Sequence, residues 1–286
     1  MRTSRIPSIA TLTALLIFAA IALLPLAMTI NLSQKESGEL IQNLWRPPRS
    51  LHPEFYTEAA AHLWSYMLNS LFVAAATVIG VLTFSALAGY ALARLKFPGR
   101  EFHYSVLMSL MFIPGILTLI PMYLWVKEFP LAGGNNLQGQ GGSGLLNTWW
   151  ALILPGWAWG QLFGIFMFRS FFASIPEELI EAARIEGASE LRILWSMVVP
   201  LSRPVIVAIS IMQFIGVYND YIWPLVTISD ASRQVFGVGI TRFVADGNLQ
   251  IGPMMAGYVI GALPLVVVFA LGMKHYVGGV TQGAIR

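Results

Sequence analysis

The stretch EELIEAARIEGASELRILWSMVVPLSRP, residues 177–204, is the longest charged segment in a chain that otherwise avoids charge. Ser174 followed by Glu177 predicts a capping box, with Pro176 early in the helix. Glu177, Glu178 and Glu181 then fall near the positive end of the helix dipole, where anions are favoured. Leu179, Ala182, Ala183 and Glu186 recur at helical spacing and share a face, and the two alanines keep it shallow enough for close approach. Gly187 can take a positive φ and break the helix, and Ser189 can cap a second one carrying Leu191, Leu194 and Trp195 and ending near Pro200. The expectation is a helix–turn–helix too polar to enter lipid. Surface-lying amphipathic helices favour Lys and Arg, whereas this one opens on three glutamates, which points to a protein partner more than to a lipid surface.

Outside this stretch the chain is apolar. Of its 286 residues 56% are hydrophobic and 11% charged, against about 25% charged in soluble domains, and its mean hydropathy is +0.68. A bilayer core needs about 20 apolar residues of helix. Six runs qualify, at roughly 6–30, 67–93, 103–126, 149–168, 204–228 and 254–273. The first is longer than a signal-peptide core and lacks a small-x-small cleavage site, so it is expected to be retained as a span. With the N-terminus inside, eleven Lys and Arg fall on inner segments and six on outer ones, which puts the charged stretch and both termini in the cytoplasm. There is no cysteine, so disulfides and thiolate metal sites are excluded. The net charge of +3 is spread over loops and does not indicate nucleic acid.

Outside the spans, the aromatic and Pro-containing segment 31–66 is expected to form an ordered cap, and AGGNNLQGQGGSGLLNTWW, residues 132–150, a mobile loop ending at interfacial tryptophans. Proline recurs within spans at Pro25, Pro114, Pro121, Pro155, Pro224 and Pro264, where it removes backbone donors and bends helices. Asp220 is the one ionisable side chain well inside a span, about 24 Å along the fifth at about 1.5 Å per residue. An aspartate at mid-membrane costs roughly 2.5–3.5 kcal/mol, so it should face a cavity or a partner. Asn219 adds amide donors, Pro224 frees the carbonyl of Asp220, and Tyr218, Tyr221 and Trp223 offer faces that can stack on sugar rings. Two readings stand: a broken helix at a translocation gate, formed by Asn219, Asp220, Trp223 and Pro224, or an Asp that only fixes packing.

EAARIEGASELRILWSMVVP, residues 181–200, resembles the EAA loop of ABC importer membrane subunits. Glu181, Ala182, Ala183, Gly187 and Pro200 occupy the motif positions, with Met197 and Val199 where Ile and Leu are typical. NSLFVAAATVIGVLTFSALAGYALARLKFPGR, FMFRSFFASIPEEL, PLSRP, YNDYIWPL and the tail VGGVTQGAIR are similar to the smaller permease of maltose-type sugar importers, from about Asn69 to Arg286. The Gly-rich loop looks longer than the family's. The resemblance implies an all-α integral membrane protein with six transmembrane helices, type I ABC importer-like, forming a single polytopic domain over 1–286 with its core bundle at about 66–277. It implies that the loop 170–203 carries a coupling helix docked on an ATPase, and that the tail from about Gly278 reaches between two ATPase subunits. The implied partners are a second homologous permease, two cytoplasmic ATPase subunits, an extracytoplasmic substrate-binding protein and membrane lipid, in a bacterial inner membrane. No G-x-x-x-x-G-K-[ST] occurs, so ATP and Mg are expected on another chain and no cofactor on this one.

Other classes fare less well. GGSG at Gly141–Gly144 sits in a polar loop with no later intramembrane histidine to act as base, and His52, His62, His103 and His275 lack zinc-binding spacing, so an enzyme is not expected. A secondary transporter would need midplane coupling groups beyond one aspartate. Cargo other than sugar, such as a glycerol phosphodiester, stays open, although no Lys or Arg lies within a span to meet a strong anion.

Overall fold

The structure, a computed structural model, describes residues 9–246 and 250–283, which are helical and loop without strands. The helices are α1 (Ile9–Leu32), α2 (Ser37–Gln42), α3 (Glu54–Arg94), α4 (Arg100–Leu110), α5 (Leu119–Lys127), α6 (Trp150–Ala173), α7 (Glu177–Ile185), α8 (Glu190–Ile193), α9 (Val199–Leu201), α10 (Arg203–Tyr218), α11 (Ile222–Thr227), α12 (Phe236–Asp246) and α13 (Ile251–Gly283). Four are long and apolar enough to cross a membrane: α1, α3, α6 and the Ile251–Met273 part of α13. The number rises to six if each of two bent helix pairs is one span. Arg2, Arg5 and the last three residues lie outside the described residues, as do the side chains of the tail from Gly278.

The bends fall where proline chemistry puts them. Between α4 and the 3-10 turn Gly115–Thr118 that leads into α5, the direction changes by 93°. Pro114 has no N–H and pushes its predecessor out of the α region, so α4 stops at Leu110 and Pro114 is extended, at φ −60° and ψ 127°. The second bend, 80°, separates Glu190–Leu201 from α10 at Ser202, between Pro200 and Pro204.

The chain divides into two compact units. One takes the residues up to Trp64 with Ile240–Leu263. In it α1 has no buried residue, the condition of a helix whose apolar surface is turned to lipid. The expected ordered cap follows: Lys35 is fully buried and its ammonium donates to the carbonyls of Asn43, Leu44 and Arg46 at 2.7, 3.2 and 2.6 Å. A buried ammonium needs such acceptors, and three carbonyls match its three donors.

The other unit takes Ser65–Gly239 and the residues from Pro264. Its centre is the contact of α3 with α6, made through small residues. A Cβ on Gly156 would stand 2.7 Å from the Thr77 methyl, and one on Gly160 would stand 2.6 Å from a Val81 methyl. Gly164 meets Ser85 in the same way, so the stripe lets two backbones approach as in other membrane helix pairs. The Trp157 indole N–H closes the contact on the Ala76 carbonyl at 3.0 Å. One apolar core joins Val81, Tyr90, Phe168 and Phe172 to Ile180, Ile193, Leu194 and Val198, so the inner side of the charged stretch belongs to the body of this unit. A second joins Val73, Val126, Ala151, Leu152, Ile228 and Val238.

Two expectations are corrected here. Ser174 does not cap α7: its hydroxyl donates back to the Phe171 carbonyl at 2.7 Å and it ends α6, while Pro176, which has no side-chain acceptor, precedes α7. The Gly-rich segment is a folded loop, not a free one. The buried Asn135 donates to the carbonyls of Lys127 and Phe129 at 2.8 and 3.1 Å and accepts from the Gly142 N–H at 2.8 Å. Asn147, at φ 59°, accepts from the Ser229 and Asp230 N–H groups at 2.6 and 3.0 Å. Composition indicated mobility, but asparagine side chains took the place of water as backbone partners.

Candidate functional sites: an apolar cavity and a clamped loop

A cavity of about 680 Å³ opens among α3, the turn before α5, α6, α10 and α11. It exists because two elements stop short. The proline break leaves Gly115, Ile116 and Thr118 at its wall, and α10 ends at Tyr218 so that Asp220 lies in non-helical backbone. The Asp220 carboxylate accepts from the Trp223 N–H at 3.4 Å, across the start of α11. Gly237 passes so near that a Cβ there would stand 2.9 Å from the Asp220 carbonyl oxygen.

Of the residues expected at a gate, Asp220, Trp223 and Pro224 line this cavity, and Asn219 does not. Trp223 is held in place by its indole N–H, which donates to the Ala151 carbonyl on α6 at 2.9 Å. The break expected in the fifth run is present between Tyr218 and Ile222. Tyr218 offers no sugar-binding face. It is buried between Phe214 and Phe236, with ring centroids at 5.8 and 5.7 Å, because the end of α10 packs inward. Sequence reasoning missed Trp159 and Gln213, both on the cavity wall. The signal was a lone glutamine in an apolar run and a tryptophan between two glycines four apart.

The charged stretch is clamped on one side and bare on the other. Gly187 has φ 83° with nothing within 4 Å of a Cβ placed there, so its conformation alone demands glycine. The Ser189 hydroxyl accepts from the Arg192 N–H at 3.4 Å, the expected cap, and α8 runs through a π-helical turn, Leu194–Val198, into α9. Arg94, at the end of α3, reaches under α7: its guanidinium donates to Glu177 at 2.8 Å and to the carbonyls of Phe172 and Ile175. Tyr90, one turn back, donates to Glu190 at 2.6 Å, and Arg184 donates to the same carboxylate at 2.7 Å. The Glu190 carboxylate beside Arg184 raises the guanidinium's pKa above its already high range, so Arg184 stays charged. Nothing in the local sequence around Arg94 points to this clamp.

Outward, Glu181 and Ala182 are exposed and Ala183 is half-buried against the core. Pro200 is exposed at the second bend. Leu179, Ile185, Leu191 and Trp195 are also exposed, Ile185 to 87%.

The family described as "Binding-protein-dependent transport system inner membrane component" matches residues 85–281. The chain is 29% identical over 276 residues, 95% of its length and 87% of the relative's, to the diacetylchitobiose uptake system permease protein NgcG of Streptomyces coelicolor. It is 31% identical over 218 residues, 76% of its length and 72% of the relative's, to the sn-glycerol-3-phosphate transport system permease protein UgpE of Pectobacterium atrosepticum. In fold it is similar to a chain of a bacterial ABC transporter involved in the import of the acidic polysaccharide alginate, with a TM-score of 0.79 at 23% identity over 96% of this chain and 98% of that one.

Proposed function

We propose, for a chain that belongs to the family of inner membrane components of binding-protein-dependent transport systems, that it is one permease subunit of an ATP-driven sugar or oligosaccharide importer. Membership makes it a multi-pass membrane protein and a transport subunit. In this reading six spans, the third being the bent pair α4 and α5 and the fifth α10 with α11, line a pathway shared with a second homologous permease, as one domain with its core at about 66–277. Both termini lie in the cytoplasm. An extracytoplasmic binding protein delivers the solute. Two ATPase subunits bind ATP and Mg below, and this chain performs no covalent chemistry.

The observation that carries the reading is the stretch Glu177–Pro204 itself: clamped from behind by Arg94 and Tyr90 and showing bare Leu179, Ile185, Leu191 and Trp195 in front. Exposed hydrophobes on helices held from behind by a buried guanidinium and a buried tyrosine suit an element that seats in a groove of another protein. Glu181, Ala182, Ala183, Gly187 and Pro200 form the ATPase-docking surface, and Asn219, Asp220, Trp223 and Pro224 form the gate. ATP closes the ATPase dimer, the coupling helix moves with it, and the proline breaks take up the bending. The cargo reading leans on the diacetylchitobiose relative. The glycerol-phosphate relative favours a second reading, a permease of the same class for a phosphorylated polyol.

Purification of the chain from native membranes in mild detergent tests the reading. An ATP-binding subunit, a second six-helix permease and a binding protein are expected to accompany it. A chain that purifies alone and transports without ATP would overturn it and revive the secondary transporter.

A further inference from the structure

We infer that the cavity is a solute subsite belonging to this chain, and that it takes an uncharged, hydroxyl-rich solute and rejects anions. The inference rests on the importer reading and adds two things to it: that this subunit touches the cargo, and which of the two cargo classes it accepts.

Three features carry it. First, at about 680 Å³ the cavity has room for a small saccharide rather than a single water or ion. Second, its wall combines apolar and aromatic surface with a few polar groups that converge on it. Trp159 and Phe163 come from α6, Gln213 from α10, and Asp220 from the backbone break. Among the described residues neither the Gln213 amide nor the Trp159 indole N–H has a hydrogen-bond partner. The Gln213 amide oxygen overhangs Gly160, whose Cβ would stand 2.6 Å from it, so the amide occupies space that a side chain on α6 would fill. A planar amide beside aromatic faces matches a sugar, whose hydroxyls both donate and accept and whose C–H faces are apolar. Third, Asp220 is the only ionisable side chain among the lining residues, and no Lys, Arg or His is there to neutralise a phosphate or carboxylate. An anion entering this space gives up water and finds no cation in return, with a carboxyl group as the one ionisable group on the wall.

The chain has no cysteine, so one introduced thiol is unique on it, and labelling is read on this chain after the subunits are separated. Gln213→Cys, in the complete transporter, is reacted with cationic trimethylammonioethyl methanethiosulfonate and anionic sulfonatoethyl methanethiosulfonate. Each rate is normalised to the reagent's rate with free mercaptoethanol. The cationic reagent is expected to react at least about 10-fold faster, and the ratio to fall towards one when Asp220→Asn is added. N,N′-diacetylchitobiose is expected to slow labelling, and sn-glycerol 3-phosphate at equal concentration to leave it unchanged. Thr118→Cys, also on the cavity wall, serves if the first variant does not assemble. Equal normalised rates, a ratio indifferent to Asp220→Asn, a thiol reached by neither reagent, or protection by the anion or by neither solute would each overturn the inference. ATP-driven uptake by the same preparation reports separately on the importer reading: uptake without the charge ratio removes only the subsite, and the ratio without ATP-dependent uptake removes the importer.

Discussion

The charged loop at 177–204 and the Gly-rich loop at 132–148 are both polar interruptions of an apolar chain, and they end up opposite in kind. In the Gly-rich loop the asparagines turn to the backbone: Asn135, Asn136 and Asn147 hold backbone groups of their own loop or of the 229–230 turn. In the charged loop Arg184 and Glu190 are likewise tied inward, to Tyr90 and to each other, and Ile180, Ile193, Leu194 and Val198 join the core, but Leu179, Ile185, Leu191 and Trp195 are left outside. Composition alone ranks the two the other way round, with glycine and asparagine as the soft segment. What separates them is where the hydrogen bonds go. A loop whose polar groups are internally satisfied is a fixed part, and one that keeps its hydrophobes exposed is a surface awaiting a second body.

The contrast can be broken at its strongest point first. Arg94→Ala removes a buried guanidinium together with its donations to Glu177 and to the Phe172 and Ile175 carbonyls, leaving the Phe172 carbonyl with only the Ile175 N–H at 3.2 Å, which should cost about 2–3 kcal/mol. Thermal unfolding in detergent should fall accordingly, and co-purification of the ATPase should be lost with it. Next, Asn147→Ala should cost about 1–2 kcal/mol, because alanine is strained at that positive φ and the Ser229 and Asp230 N–H groups lose their acceptor. Limited proteolysis would then cut between 132 and 148 sooner, with ATPase binding unchanged.

Gly187→Val sharpens the contrast. Its cost, about 1–2 kcal/mol, is conformational and local, since open space surrounds the Cβ. Insertion should survive while ATPase co-purification drops, and normal solute uptake would count heavily against docking. The smallest effect on stability belongs to Ile185→Ser, within about 0.5 kcal/mol at so exposed a position. A several-fold fall in ATPase retention at an unchanged melting temperature is expected. Unchanged retention would place the contact elsewhere on the loop.

Much of this was legible in advance. Apolar runs found every long helix, because lipid-facing segments leave no choice of composition. The turn at Gly187 and the cap at Ser189 followed from local chemistry. Ser174 misled because a capping pattern three residues ahead of a glutamate also fits the last turn of the preceding helix. The clamp was hidden for another reason. Arg94 and Glu177 lie 83 positions apart, and Tyr90 and Glu190 lie 100 apart, so only the tertiary fold brings them together. The cavity was half visible: Asp220 stood out by its charge, whereas Gln213 and Trp159 matter through what they face.

The glycine stripe between α3 and α6 has a mechanical consequence. Side chains that interdigitate can change rotamer and let two helices slide, but Gly156, Gly160 and Gly164 set bare backbone against the short side chains of Thr77, Val81 and Ser85, so little between the helices can yield. From the cavity wall at Ser70 to the clamp at Arg94, α3 is a single rod bonded along its side to α6. The two therefore count as one beam, and the remaining degrees of freedom of this unit collect at its two proline corners.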